Sequence, residues 1–268
     1  VASWNLGFAK GSPATDRYMR LAEQISASLE FVDACGVNPN NSAKMRGVDF
    51  YTSHEALLLQ YEEALTRVDR STGDTVAGSG HMIWIGDRTR QPDGAHVEFC
   101  RGVQNPIGLK CGPTTTAEDL KVLMAKLNPE NEAGRLTLIA RFGAGSVGEH
   151  LPRLIKTVQE EGAKVTWVCD PMHGNTESTA DGTKTRRFDN VVSELESAFR
   201  IHKASGSYLG GVHLELTGEN VTECTGGARG LTDGDLARAY KTTVDPRLNY
   251  EQAMEIAMRL SGLGKTDS

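Results

Sequence analysis

The sequence predicts an α/β fold arranged as a (β/α)8 TIM barrel, on three observations. Short runs rich in β-branched and aromatic residues alternate with amphipathic stretches, the signature of parallel βαβ units. Five successive runs end in ionisable residues: Asp87 and Arg88, Lys110, Arg141, Asp170 and His173, then Glu215 and Glu219. In a barrel the C-terminal ends of many strands converge on one site, whereas an open doubly wound sheet needs functional groups at only one or two of them. Finally, the 268 residues show no sequence repeat, low-complexity tract or linker. They therefore read as one domain over 1–268, with 1–47 as a helical extension packed on it.

In chain order, the first helix is predicted over 15–34. Ser12-Pro13-Ala14 precedes it, Thr15 or Asp16 caps it, and Tyr18, Leu21, Ile25, Leu29 and Val32 share one face. Residues 50–52 form a short strand candidate. Ser53-His54-Glu55 resembles a catalytic cluster but reads better as the N-terminus of a helix through Leu57, Leu58, Leu59, Tyr61 and Leu65. Gly73, Gly78 and Gly80 mark 70–80 as a flexible loop. Strands are expected over 82–85, 107–109, 136–140, 165–168 and 212–216, and helices over 117–127, 149–161, 188–203 and 250–262. The run Val165-Thr166-Trp167-Val168 is apolar on both faces, as a buried parallel strand is, and opens onto Asp170-Pro171-Met172-His173. A polar loop follows over 174–186. Trp84 and Trp167 are assigned to the core, and Cys111 and Cys169 to buried, inert thiols.

A net charge of −6, with no face dense in Lys and Arg, argues against a nucleic-acid partner. No apolar run approaches the length of a spanning helix, so no membrane partner is expected. The five cysteines, Cys35, Cys100, Cys111, Cys169 and Cys224, are widely spaced and never form CxxC. That spacing suits a reducing, cytoplasmic setting (or a plastid, in a plant) rather than a disulfide framework or a Cys-type zinc site. The chain opens on Val1 rather than Met, so a preceding N-terminal piece is expected to be missing.

Arg88, Lys110 and Arg141 place three cations at the ends of successive predicted strands. Such a cradle suits a phosphorylated or carboxylate substrate, Arg supplying a planar fork and Lys a point charge. Strand-end cations that simply reach solvent are the competing explanation. His173, Glu215 and Asp245 could together bind a divalent ion such as Mn2+, Co2+ or Fe2+, with Zn2+ also compatible. Their spacing alone does not identify a site. Glu215 is the most telling of the three, since a carboxylate inside an apolar strand demands a partner. Gly143-Ala144-Gly145-Ser146-Val147-Gly148 matches GxGxxG between a strand and a helix, which leaves a dinucleotide site open. Arg141 and Phe142 before the glycines favour instead a Gly-rich loop admitting a phosphate or a neighbouring backbone.

Five longer segments carry a resemblance. They are Gly86-Asp87-Arg88-Thr89-Arg90-Gln91 with Asp93-Gly94-Ala95-His96, Asn105-Pro106-Ile107-Gly108-Leu109-Lys110, Cys169-Asp170-Pro171-Met172-His173-Gly174-Asn175-Thr176, Thr217-Gly218-Glu219-Asn220-Val221-Thr222-Glu223-Cys224 with Gly226-Gly227, and Asp245-Pro246-Arg247-Leu248-Asn249. In order and together they resemble the class II (plant-type) 3-deoxy-D-arabino-heptulosonate 7-phosphate (DAHP) synthases, over roughly residues 3 to 260.

The resemblance implies a metal-dependent (β/α)8 barrel that condenses phosphoenolpyruvate with erythrose 4-phosphate, the first step of the shikimate pathway. It assigns His173, Glu215 and Asp245 to the metal (Mn2+ foremost, Co2+ as the alternative) and Asp87, Arg88, Lys110 and Arg141 to phosphoenolpyruvate. Lys110 and His173 are the catalytic candidates. Position 87 holds Asp where the family usually carries Glu. The family's Gly-Asp-Cys-Ala-Glu-like and Lys-Pro-Arg segments do not occur in this sequence, so a Cys metal ligand is missing and the strands present correspond to about three to eight of the barrel. The resemblance further implies aromatic amino acid feedback inhibitors, a homo-oligomer at full length and a chorismate mutase partner. An inactive metal- and phosphate-binding fragment is the competing reading.

Overall fold

The computed structural model describes residues 15–47 and 49–263. The helix-start signal expected at 12–14 lies outside them. The elements run α1 (Thr15–Ala34), α2 (Ala43–Arg46), β1 (Ser53–Glu55), α3 (Leu59–Leu65), β2 (Thr66–Val68), β3 (Thr75–Ala77), β4 (Met82–Ile85), α4 (Ala95–Arg101), β5 (Ile107–Cys111), α5 (Ala117–Leu127), β6 (Leu136–Ala140), α6 (Val147–Glu160), β7 (Val165–Cys169), β8 (Thr176–Ser178), β9 (Lys184–Arg186), α7 (Phe188–Ala204), β10 (Leu209–Val212) and α8 (Tyr250–Leu263). A 3-10 helix at Asp233–Arg238 sits between the last two.

Six strands form one sheet in the order β1-β4-β5-β6-β7-β10, every neighbouring pair parallel. That order follows the chain and never reverses. A doubly wound sheet reverses at a switch point, where dinucleotides bind; a barrel sheet does not. Among the described residues no strand joins β10 back to β1, so the sheet is an unclosed arc with two edges. The remaining strands form two antiparallel hairpins, β2-β3 and β8-β9.

The register divides the sheet into two unlike faces. Ile83, Ile107, Leu136 and Val165 lie in one row, and Ile85, Leu109, Leu138 and Trp167 in another on the same face. Of these all but Val165 are buried, in one core with Val97, Leu120, Leu123, Leu151, Leu154, Val191 and Leu195 from α4 to α7. The helices thus cover this side, each presenting apolar residues three and four apart. On the opposite face Met82, Trp84, Thr137 and Val168 are half-buried and Thr166 is exposed, because an arc cannot fill its own concave side. Only the middle of that face is crowded. A Cβ on Gly108 would meet the Trp84 Cβ at 2.7 Å and side-chain carbons of Ile139 and Met82 at 3.0 Å each, so no larger residue fits there.

Several local expectations shift. Ser53-His54-Glu55 is the edge strand itself, paired with Met82–Trp84, and not a helix N-terminus; α3 starts later, after Leu58. The strand expected over 212–216 ends at Val212, so His213 and Glu215 lie beyond its end. The loop over 70–80 contains one hairpin strand and that over 174–186 contains two. Trp84 is half-buried, on the concave face, while Trp167 is core as expected. In α1 the expected apolar stripe is only partly covered, with Leu29 exposed.

Candidate active site

Because every strand of the sheet is parallel, all its C-terminal ends open on one edge, and the site is built there. The ladder continues for one residue past three strands. Arg141 N–H donates to Cys111 O (2.9 Å), Asp170 N–H to Ala140 O (2.7 Å) and His213 N–H to Cys169 O (2.8 Å). These bonds fix the departure points of the functional loops. Glu55, Asp87, Arg88, Lys110, Arg141 and His173, with Gly86, line a single cavity of ≈ 320 Å3.

Lys110 is 6% exposed, inside β5 on the concave face, with its ammonium 5.7 Å from the centre of the Trp84 ring. It donates to Asp170 Oδ2, which also accepts from His173 Nδ1 at 2.7 Å. Asp170 Oδ1 takes the backbone N–H groups of Met172 (3.0 Å) and His173 (3.2 Å). Burial opposes charge on Asp170, but the His173 hydrogen bond and the Lys110 ammonium hold its carboxyl well below the usual range. Arg141 donates to Asp87 (3.0 Å) and to His173 O (3.0 Å), and Arg90 takes the other Asp87 oxygen (3.1 Å). Asp87 thus accepts bonds from two guanidinium groups, and Gly112 N–H also reaches it at 3.0 Å. Arg88 is exposed at the cavity and, among the described residues, has no carboxylate partner.

His173, Glu215 and Asp245 do converge: one ligand atom from each lies within 4.8 Å of the others. His173 Nε2 faces Glu215 Oε1 at 3.2 Å, its Nδ1 being engaged by Asp170. This is the arrangement of a metal-binding imidazole, whose second nitrogen is held by a carboxylate. Without an ion, those hydrogen bonds, to Asp170 foremost and then Glu215, raise the His173 pKa to about 9 against its burial. Asp245 arrives because Leu216 and Leu248 form a parallel bridge, with Leu248 N–H on Glu215 O (2.9 Å) and Thr217 N–H on Leu248 O (3.0 Å). One imidazole and two carboxylates fit a borderline-to-hard divalent ion such as Mn2+.

Three supporting residues were not singled out from the sequence. Arg186, fully buried at the end of β9, donates to Glu215 Oε2 and to Pro246 O, beside Asp245. Glu223, also fully buried, accepts the backbone N–H groups of Lys241 (3.1 Å), Thr242 (2.9 Å) and Arg247 (2.8 Å), pinning the loop that carries Asp245. Glu194, on α7, accepts Phe142 N–H at 2.8 Å. Only Glu194 left a readable signal, a carboxylate on the apolar face between Val191 and Leu195. Two expectations about other groups are met. Cys111 and Cys169 are fully buried, and burial pushes the Cys111 thiol up to about 12. The GxGxxG loop is not shaped as a dinucleotide turn: Gly143 (φ +92°) packs against Gly174, while a Cβ on Gly145 or Gly148 would meet nothing within 4 Å.

The model of the class-II DAHP synthetase family matches residues 1–261. The phospho-2-dehydro-3-deoxyheptonate aldolase of Streptomyces coelicolor is 51% identical over 257 residues, covering 96% of this chain and 56% of that protein. That of Mycolicibacterium smegmatis is 48% identical over 262 residues, again covering 96% and 56%. The chain thus spans about half the length of these curated relatives. Among solved structures, a truncated 3-deoxy-D-arabino-heptulosonate 7-phosphate synthase from Thermotoga maritima overlaps with a TM-score of 0.38 at 19% identity, covering 69% of this chain and 57% of that one. The phospho-2-dehydro-3-deoxyheptonate aldolase of Francisella tularensis gives 0.42 at 16%, covering 68% and 55%. Those two overlaps are too weak to add to the fold argued above. The match over 1–261 is decisive: this chain belongs to the class-II DAHP synthetase family.

Proposed function

We propose that this chain forms the phosphoenolpyruvate- and metal-binding part of a DAHP synthase, which joins phosphoenolpyruvate, erythrose 4-phosphate and water into DAHP and phosphate. The observation that carries the reading is the single cavity shared by Arg88, Lys110, Arg141 and His173. A small molecule bearing a phosphate and a carboxylate needs several cations converging from different directions. These arrive from three successive strand ends, and two are already held in place by acids.

In this reading Arg88 and Arg141 grip the phosphate and carboxylate through forked hydrogen bonds, and Lys110 adds a third positive charge in a poorly hydrated pocket. Asp170 holds Lys110 and His173 at fixed positions and keeps the His173 Nδ1 engaged, so that Nε2 faces Glu215. His173, Glu215 and Asp245 would hold the divalent ion, Mn2+ foremost and Co2+ as the alternative. When bound, it would act as a Lewis acid toward the erythrose 4-phosphate aldehyde. C3 of the enol then bonds to the aldehyde carbon, water adds at C2, and the C2–O bond to phosphate is lost as the keto group forms. His213, kept neutral by burial and by the neighbouring Lys110, with its pKa lowered to about 4, stands 6.2 Å from the His173 ring without competing for the anion sites.

A cytoplasmic setting, favoured by the widely spaced cysteines, belongs to the same reading, as do homo-oligomers, aromatic amino acid feedback ligands and a chorismate mutase partner, which rest on the family likeness alone. Calorimetric titration with phosphoenolpyruvate tests the site: binding in the micromolar to millimolar range should weaken at least tenfold in R88A, or roughly 1.4 kcal/mol. Equal affinity of the wild type and R88A would refute the assignment.

A further inference from the structure

Glu194 is 0% exposed on the apolar face of α7 and outside the cavity lining. A carboxylate there costs several kcal/mol unless its oxygens are satisfied, on the order of an unpaired buried polar group. Both oxygens are spoken for by loops, not by a cation. Oε1 accepts Phe142 N–H at 2.8 Å, and Oε2 accepts the Asn175 amide at 2.7 Å. Asn175, also buried, spends its second amide hydrogen on Pro171 O (2.8 Å) and accepts Ala144 N–H on Oδ1 (3.0 Å). With a carboxylate and a carbonyl on one side and an N–H on the other, only one orientation of this amide satisfies every group.

The two loops so joined are those that leave β6 with Arg141 and β7 with His173. Their backbones also touch. A Cβ on Gly174 would lie 2.2 Å from Gly143 N, and one on Gly143 would lie 2.6 Å from Gly174 O. Above that contact Arg141 reaches across to His173 O at 3.0 Å. The side chains that face the cavity are thus set by a layer beneath them.

We propose that Glu194 and Asn175 are positioning residues for the phosphoenolpyruvate cavity, clamping the Arg141 loop against the His173 loop; this rests on the substrate reading above. Neither touches the ligand. Their work is to hold two groups from different strands at one separation, which a shift of about 1 Å would spoil. The first glycine of the GxGxxG segment then has a definite purpose: it lets the two loops approach backbone to backbone.

The test is titration of phosphoenolpyruvate into the wild type, E194Q, N175A and E194Q/N175A, with urea unfolding of each. E194Q keeps the shape but turns an amide toward the Asn175 amide, donor against donor. Affinity of the folded variant should fall roughly tenfold, the scale of one lost buried hydrogen bond, while the unfolding midpoint also drops, because a buried donor is left without its acceptor. N175A removes the amide that E194Q opposes, so E194Q/N175A should lose little more than N175A alone, a coupling that independent sites would not show. If E194Q does not fold, N175A carries the same expectation. Wild-type affinity in E194Q, or a loss fully accounted for by the fraction of unfolded protein, would overturn the positioning role and leave the substrate reading intact. A wild-type chain that binds no phosphoenolpyruvate would overturn both.

Discussion

Asp170→Asn strikes the point where the cation cradle meets the metal triad. Asp170 has no solvent exposure, and it receives four hydrogen bonds: from Lys110, from His173 Nδ1, and from two backbone N–H groups. An amide has one acceptor oxygen. If that oxygen keeps the backbone bonds, the NH2 group faces the Lys110 ammonium, which is 6% exposed and, among the described residues, has no other carboxylate partner. Removing one member of a buried ion pair costs about 3–5 kcal/mol, most of it the penalty on the charge left behind. The unfolding free energy from urea denaturation should fall by about that amount, with the denaturant slope unchanged. K110M/D170N removes both charges, keeps an acceptor for the two backbone N–H groups and should lose less than D170N. A loss below about 1 kcal/mol in D170N, the value of an exposed pair, would show that the charges are not desolvated and would refute the reasoning.

Three further outcomes follow from named contacts. G174A drives a Cβ into the Gly143 backbone and should cost about 1–3 kcal/mol, the usual range for overpacking, whereas G145A, with open space around it, should be near neutral in the same urea experiment. His202 is buried against Trp167 with Nε2 unpartnered among the described residues, and burial lowers its pKa to about 4. The unfolded chain gains that proton near pH 6.5 and the folded chain resists it, so stability should decline as pH falls from about 6.5 to about 4, by up to about 3 kcal/mol. H202Q should remove that part of the slope. R141K should weaken phosphoenolpyruvate binding, because one ammonium cannot span Asp87 and His173 O as the guanidinium does; calorimetry on the folded variant checks it.

The features that could be read from the sequence were those whose cause is local. Helix α5 matches its expected bounds because Thr116 caps it, accepting Asp119 N–H at 3.0 Å, and its apolar residues recur at helical spacing. Lys110, Arg141 and His173 could be placed because a strand end in a parallel sheet has one direction in which to point. What escaped was set by distant partners. Ser53–Glu55 looks like a helix start, yet the edge of β4 offers it ladder bonds that outweigh the local preference. Arg186 looked like an ordinary loop cation until the β8-β9 hairpin folded it under Glu215. Glu223 gave no sign that three backbone N–H groups from 241–247 would close on it.

The convergence of His173, Glu215 and Asp245 is tested most directly by titrating Mn2+ into the folded wild type and into H173A, E215Q and D245N, following free Mn2+ by electron paramagnetic resonance. One ion should bind the wild type, and each substitution should weaken it by at least about tenfold, the scale of losing one ligand or its orienting partner. Absence of binding, or binding that survives all three substitutions, would contradict the assignment of a divalent metal site to these strand ends.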